Sequence, residues 1–322
     1  MSLVKDKNNV NNKKDNDSCL FDFIISFIIV PLVCFPIFIL LHKILPDLDW
    51  YFNLDRILLF IFVFGFLEFI FNVFKKFAIS LFVIVIIIIS IGTIREKYGF
   101  SDIYYGYRNM VFSLIDKPQE KIFNIKTIVP NSRKKEIIKA LDFENDTVRN
   151  FSVQIAGKYF KEYKTKNYYY EYMTIIQSFS IFKEININWN YVHDPISREY
   201  FARASETINN FKEDPNGYFS GDCDDHAILM VACISSIGGR SRLVWTNGHI
   251  YPELFIGNRN DLEDITYLIR RELFKDEIAV VKDRTIYYHE EINGDIWLNL
   301  DYTEHFPGGK FMDEMVLDIY EP

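Results

Sequence analysis

The sequence predicts an α+β fold behind a helical membrane anchor. Three observations lead there: long apolar runs confined to residues 20–94, apolar residues at helical spacing between 132 and 185, and short β-rich segments after residue 240. Of 322 residues, 49% are apolar and 17% aromatic, and the 30 phenylalanines crowd the first third, which is not how one soluble core is written.

Three spans are expected, "LFDFIISFIIVPLVCFPIFILL" (20–41), "ILLFIFVFGFLEFIFNVF" (57–74) and "FAISLFVIVIIIISIGTI" (77–94). At a rise of about 1.5 Å per residue, each can cross a hydrocarbon layer of about 30 Å. A single helix over 57–94 would place Lys75 and Lys76 in mid-bilayer, so these lysines mark a turn at an interface. The first run is too long for a signal-peptide core and has no small-residue cleavage site, so it stays in the chain. The valine before Cys34 argues against lipidation there. Lys5, Lys7, Lys13, Lys14, Lys75 and Lys76 outnumber Lys43, Arg56, Arg95 and Lys97 on the other side. This bias puts the N-terminus in the cytoplasm and the C-terminal domain outside, in a multi-pass membrane protein. Glu68, inside the second span, is expected to face a neighbouring helix.

Residues 1–18 are Asn, Lys and Asp with almost nothing to bury, and read as a disordered tail before a transmembrane region at 19–96. The tyrosine-rich stretch 98–112 begins a juxtamembrane tether extending to 130. Residues 131–322 have the composition of a globular domain. Helices are expected at 132–141, 145–163 and 168–185, the first opening on Ser132 as N-cap. Strands are expected at 242–246, 249–257, 278–283, 285–291 and 295–303, in an antiparallel sheet.

Composition also excludes function classes. A net charge of −8 argues against nucleic acid. The four cysteines form no CxxC pairs, which disfavours a zinc ribbon or a disulfide framework. With no phosphate loop or dinucleotide fingerprint, no organic cofactor is expected.

The informative stretch is "GDCDDHAIL" (221–229). Its cysteine has three readings: nucleophile, metal ligand or small core residue. Apolar Ala227, Met230, Val231, Ile234 and Ile237 follow helical spacing, and Gly238–Gly239 ends the pattern, so Cys223 begins a helix. Apolar residues at 228, 229, 232 and 233 predict that protein wraps this helix. The positive end of a helix dipole favours a thiolate. Period-2 alternation puts His249, Tyr251, Glu253 and Phe255 on one strand face, and Trp297, Asn299 and Asp301 on another. If the two strands pair, His249 and Asp301 meet across the ladder.

The ordered set "GDCDDHAILMVACISSIGGRSRLV", "GHIYPELFI" and "WLNLDYT" resembles the transglutaminase-like superfamily of papain-like cysteine enzymes, over residues 186–308. The resemblance implies a papain-like, transglutaminase-like domain with Cys223 as nucleophile, His249 as general acid/base and Asp301 as its orienter. It implies a thioester formed by attack on an amide of a protein or peptide, with the Cys223 backbone N–H as an oxyanion donor. Hydrolysis is preferred to acyl transfer, by analogy with anchored relatives. The alternative is a non-catalytic peptide-binding or sensing module. The segment 258–294 departs from the short hairpin expected between His249 and Asp301, and the family's second oxyanion donor has no assigned residue, although "WNYVHDP" (189–195) offers Trp189 and Tyr191.

Blander readings stand beside these. Cys233, in mid-helix, reads as core. Asp222, Asp224, Asp225 and His226 lack the spacing of a calcium loop, and a zinc site would need two further ligands. No metal is expected; Asp224 and Asp225 read as residues that cap the helix start, and His226 as a neighbour packed beside the site. His193, His289 and His305 read as surface or packing residues.

Overall fold

Residues 25–45, 54–95, 98–115, 119–122, 133–165, 169–194, 200–313 and 315–322 are described by the computed structural model. The chain divides into two units, Met1–Leu114 and Ile115–Pro322. The expected tail at 1–18 lies outside the described residues.

The first unit is helical. A π-turn, Ile25–Ile29, leads into α1 (Val30–Ile44), followed by α2 (Leu54–Val73), α3 (Lys75–Ile94) and α4 (Phe100–Ile115). Val30, Val33 and Cys34 pack against Val63, Leu67 and Phe71. Gly106 of α4 lies so close to α1 that a Cβ there would stand 2.9 Å from Ile39 Cγ2. The break between α2 and α3 falls at Phe74 (φ −109°, ψ 39°), just ahead of the two lysines expected to mark it.

Among the described residues one helix, α2, is long and apolar enough to cross a membrane, by length and composition. The apolar stretches Phe27–His42 and Ser80–Ile94 are shorter. This corrects the expectation of three spans and a multi-pass anchor. In the first run α-helical geometry begins only at Val30, behind the π-turn, with residues 20–24 outside the described set. In the third, the described apolar stretch begins only at Ser80.

The second unit is α+β. In order it contains β1 (Gln119–Ile122), α5 (Lys134–Leu141), α6 (Asp146–Ala156), α7 (Met173–Ile187), β2 (Trp189–Tyr191), α8 (Ala204–Glu213), β3 (Phe219–Gly221) and α9 (Cys223–Ser236). Then come β4 (Ser241–Trp245), β5 (Ile250–Gly257), α10 (Arg259–Tyr267), α11 (Lys275–Ala279), β6 (Ile286–Glu290), β7 (Ile296–Asn299) and β8 (Asp318–Tyr320). The main sheet runs β1-β6-β7-β5-β4-β8; every pair is antiparallel except β1 with β6. A separate parallel pair joins β2 to β3.

The helix predicted after Cys223 is the centre of this unit. Ala227 through Ile234 are fully buried, between β4 and β5 on one side and α5 to α8 on the others. Each large apolar side chain buried this way stabilises the fold by roughly 1.5–3 kcal/mol. Helix α6 starts where Asn145 accepts a hydrogen bond from Thr147 N at 2.8 Å, and ends at Gly157 rather than at 163. The strand expected at 278–283 does not form. Both edges of β6 are already occupied, by β1 and β7, and Lys275–Ala279 instead makes a turn of helix with Ile278 buried and Val280 outward.

Candidate active site

Strand β3 feeds directly into α9, so the first helical residue, Cys223, is held at the end of a paired strand. Tyr191 lies opposite Gly221 in register, and Val192 N donates to Gly221 O at 2.9 Å. A Cβ on Gly221 would stand 2.5 Å from Asp225 Oδ2, so only glycine lets this strand meet the helix start. Cys223 is half-buried, a free thiol in the first turn, where backbone N–H groups have no intrahelical acceptor.

The cap differs from expectation. The N-cap is Asp222, which accepts from Asp224 N at 3.2 Å, while Asp224 Oδ1 accepts from the next first-turn N–H, Asp225 N, at 2.8 Å. Asp224 is buried, and burial, a hydrogen bond with Asp222 and nearby negative charge push its carboxyl up to about 10. It is therefore protonated at neutral pH and does not complement the helix dipole as an anion. Burial raises Asp225 to about 7, against the bond its Oδ1 accepts from Ala202 N at 2.8 Å. The three carboxylates lie within 4.8 Å of one another, but the backbone N–H groups that donate to them, Asp224 N, Asp225 N and Ala202 N, tie them to the helix start and the Ala202 loop.

His249 is placed by the turn between β4 and β5, where Thr246 N and Thr246 Oγ1 both donate to His249 O at 2.9 Å. Strands β5 and β7 pair as Glu253 with Asn299, and Leu300 N donates to Pro252 O at 2.9 Å, which carries the ladder to Asp301. His249 Nε2 and Asp301 Oδ2 are 2.7 Å apart, the meeting that strand alternation anticipated. Asp301 is fixed in turn: Tyr302 N donates to its Oδ1 at 2.9 Å, and its own N–H donates to Asn299 Oδ1 at 3.0 Å. Beyond it, Asn299 Nδ2 donates to Gly309 O at 2.7 Å, tying the following loop back to the sheet.

With Nε2 on Asp301, Nδ1 is the imidazole nitrogen left for Cys223. Burial disfavours the charged imidazole, but hydrogen bonding with Asp301 and Cys223, and their charges, outweigh it and hold His249 up at about 9. The folded pKa lies above the ordinary 6.5, so the associated stability is fully present below pH 6.5 and is lost as pH rises through 9. Melting temperatures of wild type and His249→Gln between pH 6 and 10 are expected to converge across that window; a gap that does not change with pH would contradict the assignment.

Around these residues is an aromatic shell. His226, fully buried one turn into α9, has Nε2 2.7 Å from Asn186 Oδ1. Burial and the charge of His249 lower it to about 3, so it stays neutral. Its ring meets Trp189 edge-on at 4.9 Å and Tyr302 at 5.3 Å. Tyr302 also meets His249 at 6.1 Å and Tyr191 at 5.6 Å. Trp189 stacks on Phe219 at 6.1 Å, with its Nε1 buried and unpaired.

No family model, curated protein or solved structure matches the chain. The site therefore stands on its own geometry. Of the residues singled out in the sequence, Cys223, His249 and Asp301 are brought together. Cys233 is fully buried, and burial pushes its thiol up to about 12, as an inert core residue requires. His193 and His305 are exposed, whereas His289 is buried against Glu253. The segment 258–294 contributes to a different cleft: α10, through Asp261, joins Tyr172, Gly239, Arg240 and Phe255 around about 310 Å³, beside the glycines that follow α9 rather than at Cys223. His226 is packed beside the site as expected, whereas sequence reasoning missed Tyr302 and Asn186; the aromatic following Asp301 was the one available signal for the first.

Proposed function

We propose that the chain is a membrane-anchored, transglutaminase-like cysteine enzyme that breaks an amide bond of a protein or peptide through a thioester. The observation that carries this reading is His249, bonded through Nε2 to a buried Asp301, with Cys223 at a capped helix N-terminus near enough to help raise the imidazole above its usual range. The Cys223 sulfur, as thiolate, attacks the carbonyl carbon; the first-turn N–H of Cys223 receives the developing oxyanion. The C–N bond breaks and the imidazolium of His249 gives its proton to the leaving amine. Water then attacks the thioester, His249 takes its proton, and the thiolate leaves. Hydrolysis is preferred to transfer onto an amine by analogy with anchored members of the family that the motifs resemble.

Support for anchoring comes from the first unit. Phe62, Phe66, Phe69, Phe77, Ile84 and Ile88 are all exposed on α2 and α3, a quantity of outward apolar surface suited to lipid. In this reading α2 is the span, and the catalytic unit faces away from the cytoplasm.

The test is alkylation of Cys223 by iodoacetamide in detergent-solubilised protein, followed on the Cys223 peptide by mass spectrometry. At pH 6 an ordinary thiol is thiolate to well under 1%, so His249→Ala is expected to slow the reaction by about 10²-fold. An unchanged rate would remove the catalytic reading.

A further inference from the structure

Cys223 and His226 project from the same side of α9, three residues apart, and helical side chains lean toward the helix N-terminus, so the His226 ring leans toward the turn that carries the thiol. Three elements lock that ring. Asn186, at the end of α7, has Oδ1 2.7 Å from its Nε2; Trp189 of β2 meets it at 4.9 Å and 85°, and Tyr302 meets it at 5.3 Å and 71°. Tyr302 in turn stands edge-on to His249, 6.1 Å between ring centres at 77°, and its backbone N–H holds Asp301 Oδ1 at 2.9 Å. The rings of His226, Tyr302 and His249 therefore run as a chain from the cysteine helix to the imidazole, with Asp301 tied to the middle of it. Both histidines are buried, at 0% and 7% exposure.

We propose that His226 and Tyr302 are positioning residues, a rigid spacer that sets the separation between the Cys223 sulfur and the His249 imidazole. The role rests on Cys223 being the nucleophile, and neither residue itself transfers a proton or an acyl group. Close-packed rings keep the elements that carry them from moving together, and edge-on contacts fix tilt as well as distance. A leucine would fill much of either site, but it has no ring edge to set against the next ring. The imidazole also differs from a plain apolar filler, because its bond to Asn186 fixes the ring plane, which packing alone leaves to the neighbours. Burial and the charge of His249 keep His226 neutral, so the spacer adds no second positive charge beside the thiolate.

The test is the pH profile of Cys223 alkylation by iodoacetamide on the full chain in detergent, read on the Cys223 peptide by mass spectrometry, for His226→Leu, Tyr302→Leu, their double variant and Tyr302→Phe. Loosening the contact weakens the pairing of thiolate with imidazolium. Each leucine variant is therefore expected to move the acid-side midpoint up by about one pH unit, a roughly tenfold loss of rate on the acid limb, within what a displacement of about 1 Å produces. The double variant is expected to move no further than the larger single shift, because the same contact is lost in all three. Tyr302→Phe keeps the ring and is expected to restore the midpoint. The other ionisable groups around the pair, Tyr191, Asp222, Asp224, Asp225, Tyr251 and Asp301, stay in place throughout, so the midpoint reports on the thiol and imidazole. A melting temperature that falls in the leucine variants while the midpoint stays at the wild-type value would show that the rings only pack, and the spacer is then wrong. A shift as large in Tyr302→Phe as in Tyr302→Leu overturns it equally. Should His226→Leu fail to fold, Tyr302→Leu and its rescue carry the test. If His249→Ala leaves the profile unchanged, the nucleophile reading has failed; if His249→Ala shifts it and the leucine variants do not, only the spacer has.

Discussion

Asp301→Asn is expected to slow alkylation of Cys223 at pH 6 nearly as much as loss of His249 does, by about 10²-fold, although Asp301 does not touch the sulfur. The argument is about tautomers. Tyr302 N donates to Asp301 Oδ1, so an asparagine at this position keeps its oxygen there and turns its amide NH₂ toward His249 Nε2. Nε2 must then accept, which moves the imidazole proton to Nδ1, the nitrogen left for Cys223. A ring protonated at that nitrogen cannot take the thiol proton. The same change removes the partner that does most to hold His249 up at about 9, so the imidazolium also disappears from the upper part of the pH range. The measurement is the iodoacetamide rate on the Cys223 peptide, with the melting temperature as a control for folding. An Asp301→Asn protein that folds and reacts at the wild-type rate would show that Asp301 does not orient His249.

This site was legible in the sequence to the extent that its signals were periodic. Helix α9 could be read because apolar residues at helical spacing are joined by further apolar residues on its other faces, and complete burial from Ala227 to Ile234 is the consequence. The contact between His249 and Asp301 followed from period-2 alternation, since both side chains lie on the faces that β5 and β7 bring together. Short elements gave no such signal. Strands β2, β3 and β8 span three residues each, too few for alternation to show, yet β2 and β3 place Tyr191 and Cys223. The carboxylates at the start of α9 were ambiguous for a different reason. Which of Asp222, Asp224 and Asp225 caps depends on where the first helical turn begins, to one residue, and sequence boundaries are less certain than that. The anchor was overread because hydropathy counts residues and does not register the π-turn before Val30. Contacts between several strands were out of reach altogether, because they require the sheet order.

The largest of those contacts gives the second expected result: Glu253→Gln is expected to destabilise the second unit by about 3–5 kcal/mol. From β5, this carboxylate bonds to side chains of the strands β4 and β6. Arg242 of β4 donates through Nε to Glu253 Oε2 at 2.8 Å, His289 of β6 bonds Oε1 through Nδ1, and Arg242 Nη1 reaches Glu291. The guanidinium also lies 4.0 Å over the ring of Trp297 on β7. Arg242, Glu253 and His289 are 2%, 0% and 3% exposed. Burial penalises the Glu253 charge, but His289 and Arg242 overcome it and hold its pKa below 4.5. Its stabilising contribution is accordingly present above pH 4.5 and lost as pH falls through the depressed value. Glutamine keeps the shape but leaves Arg242 with only the more exposed Glu291, so most of the desolvation cost of the guanidinium goes uncompensated. In a unit of this size the loss corresponds to a fall in melting temperature of about 10 °C, readable by differential scanning calorimetry of wild type and variant at pH 7. A contrasting variant separates stability from geometry. Replacing Arg242, Glu253 and His289 together by Met, Leu and Phe removes every buried charge at once and is expected to cost far less than Glu253→Gln alone. Equal losses would mean that the shape of the contact, rather than the stranded charge, sets the penalty. The cluster also bears on the site, because Glu253 shares a strand face with Tyr251, whose ring stacks on His249 at 5.9 Å. Ions that cross-link β4, β5 and β6 hold β5 in one register, and a one-residue slip of β5 would turn His249 to the opposite face, away from Asp301.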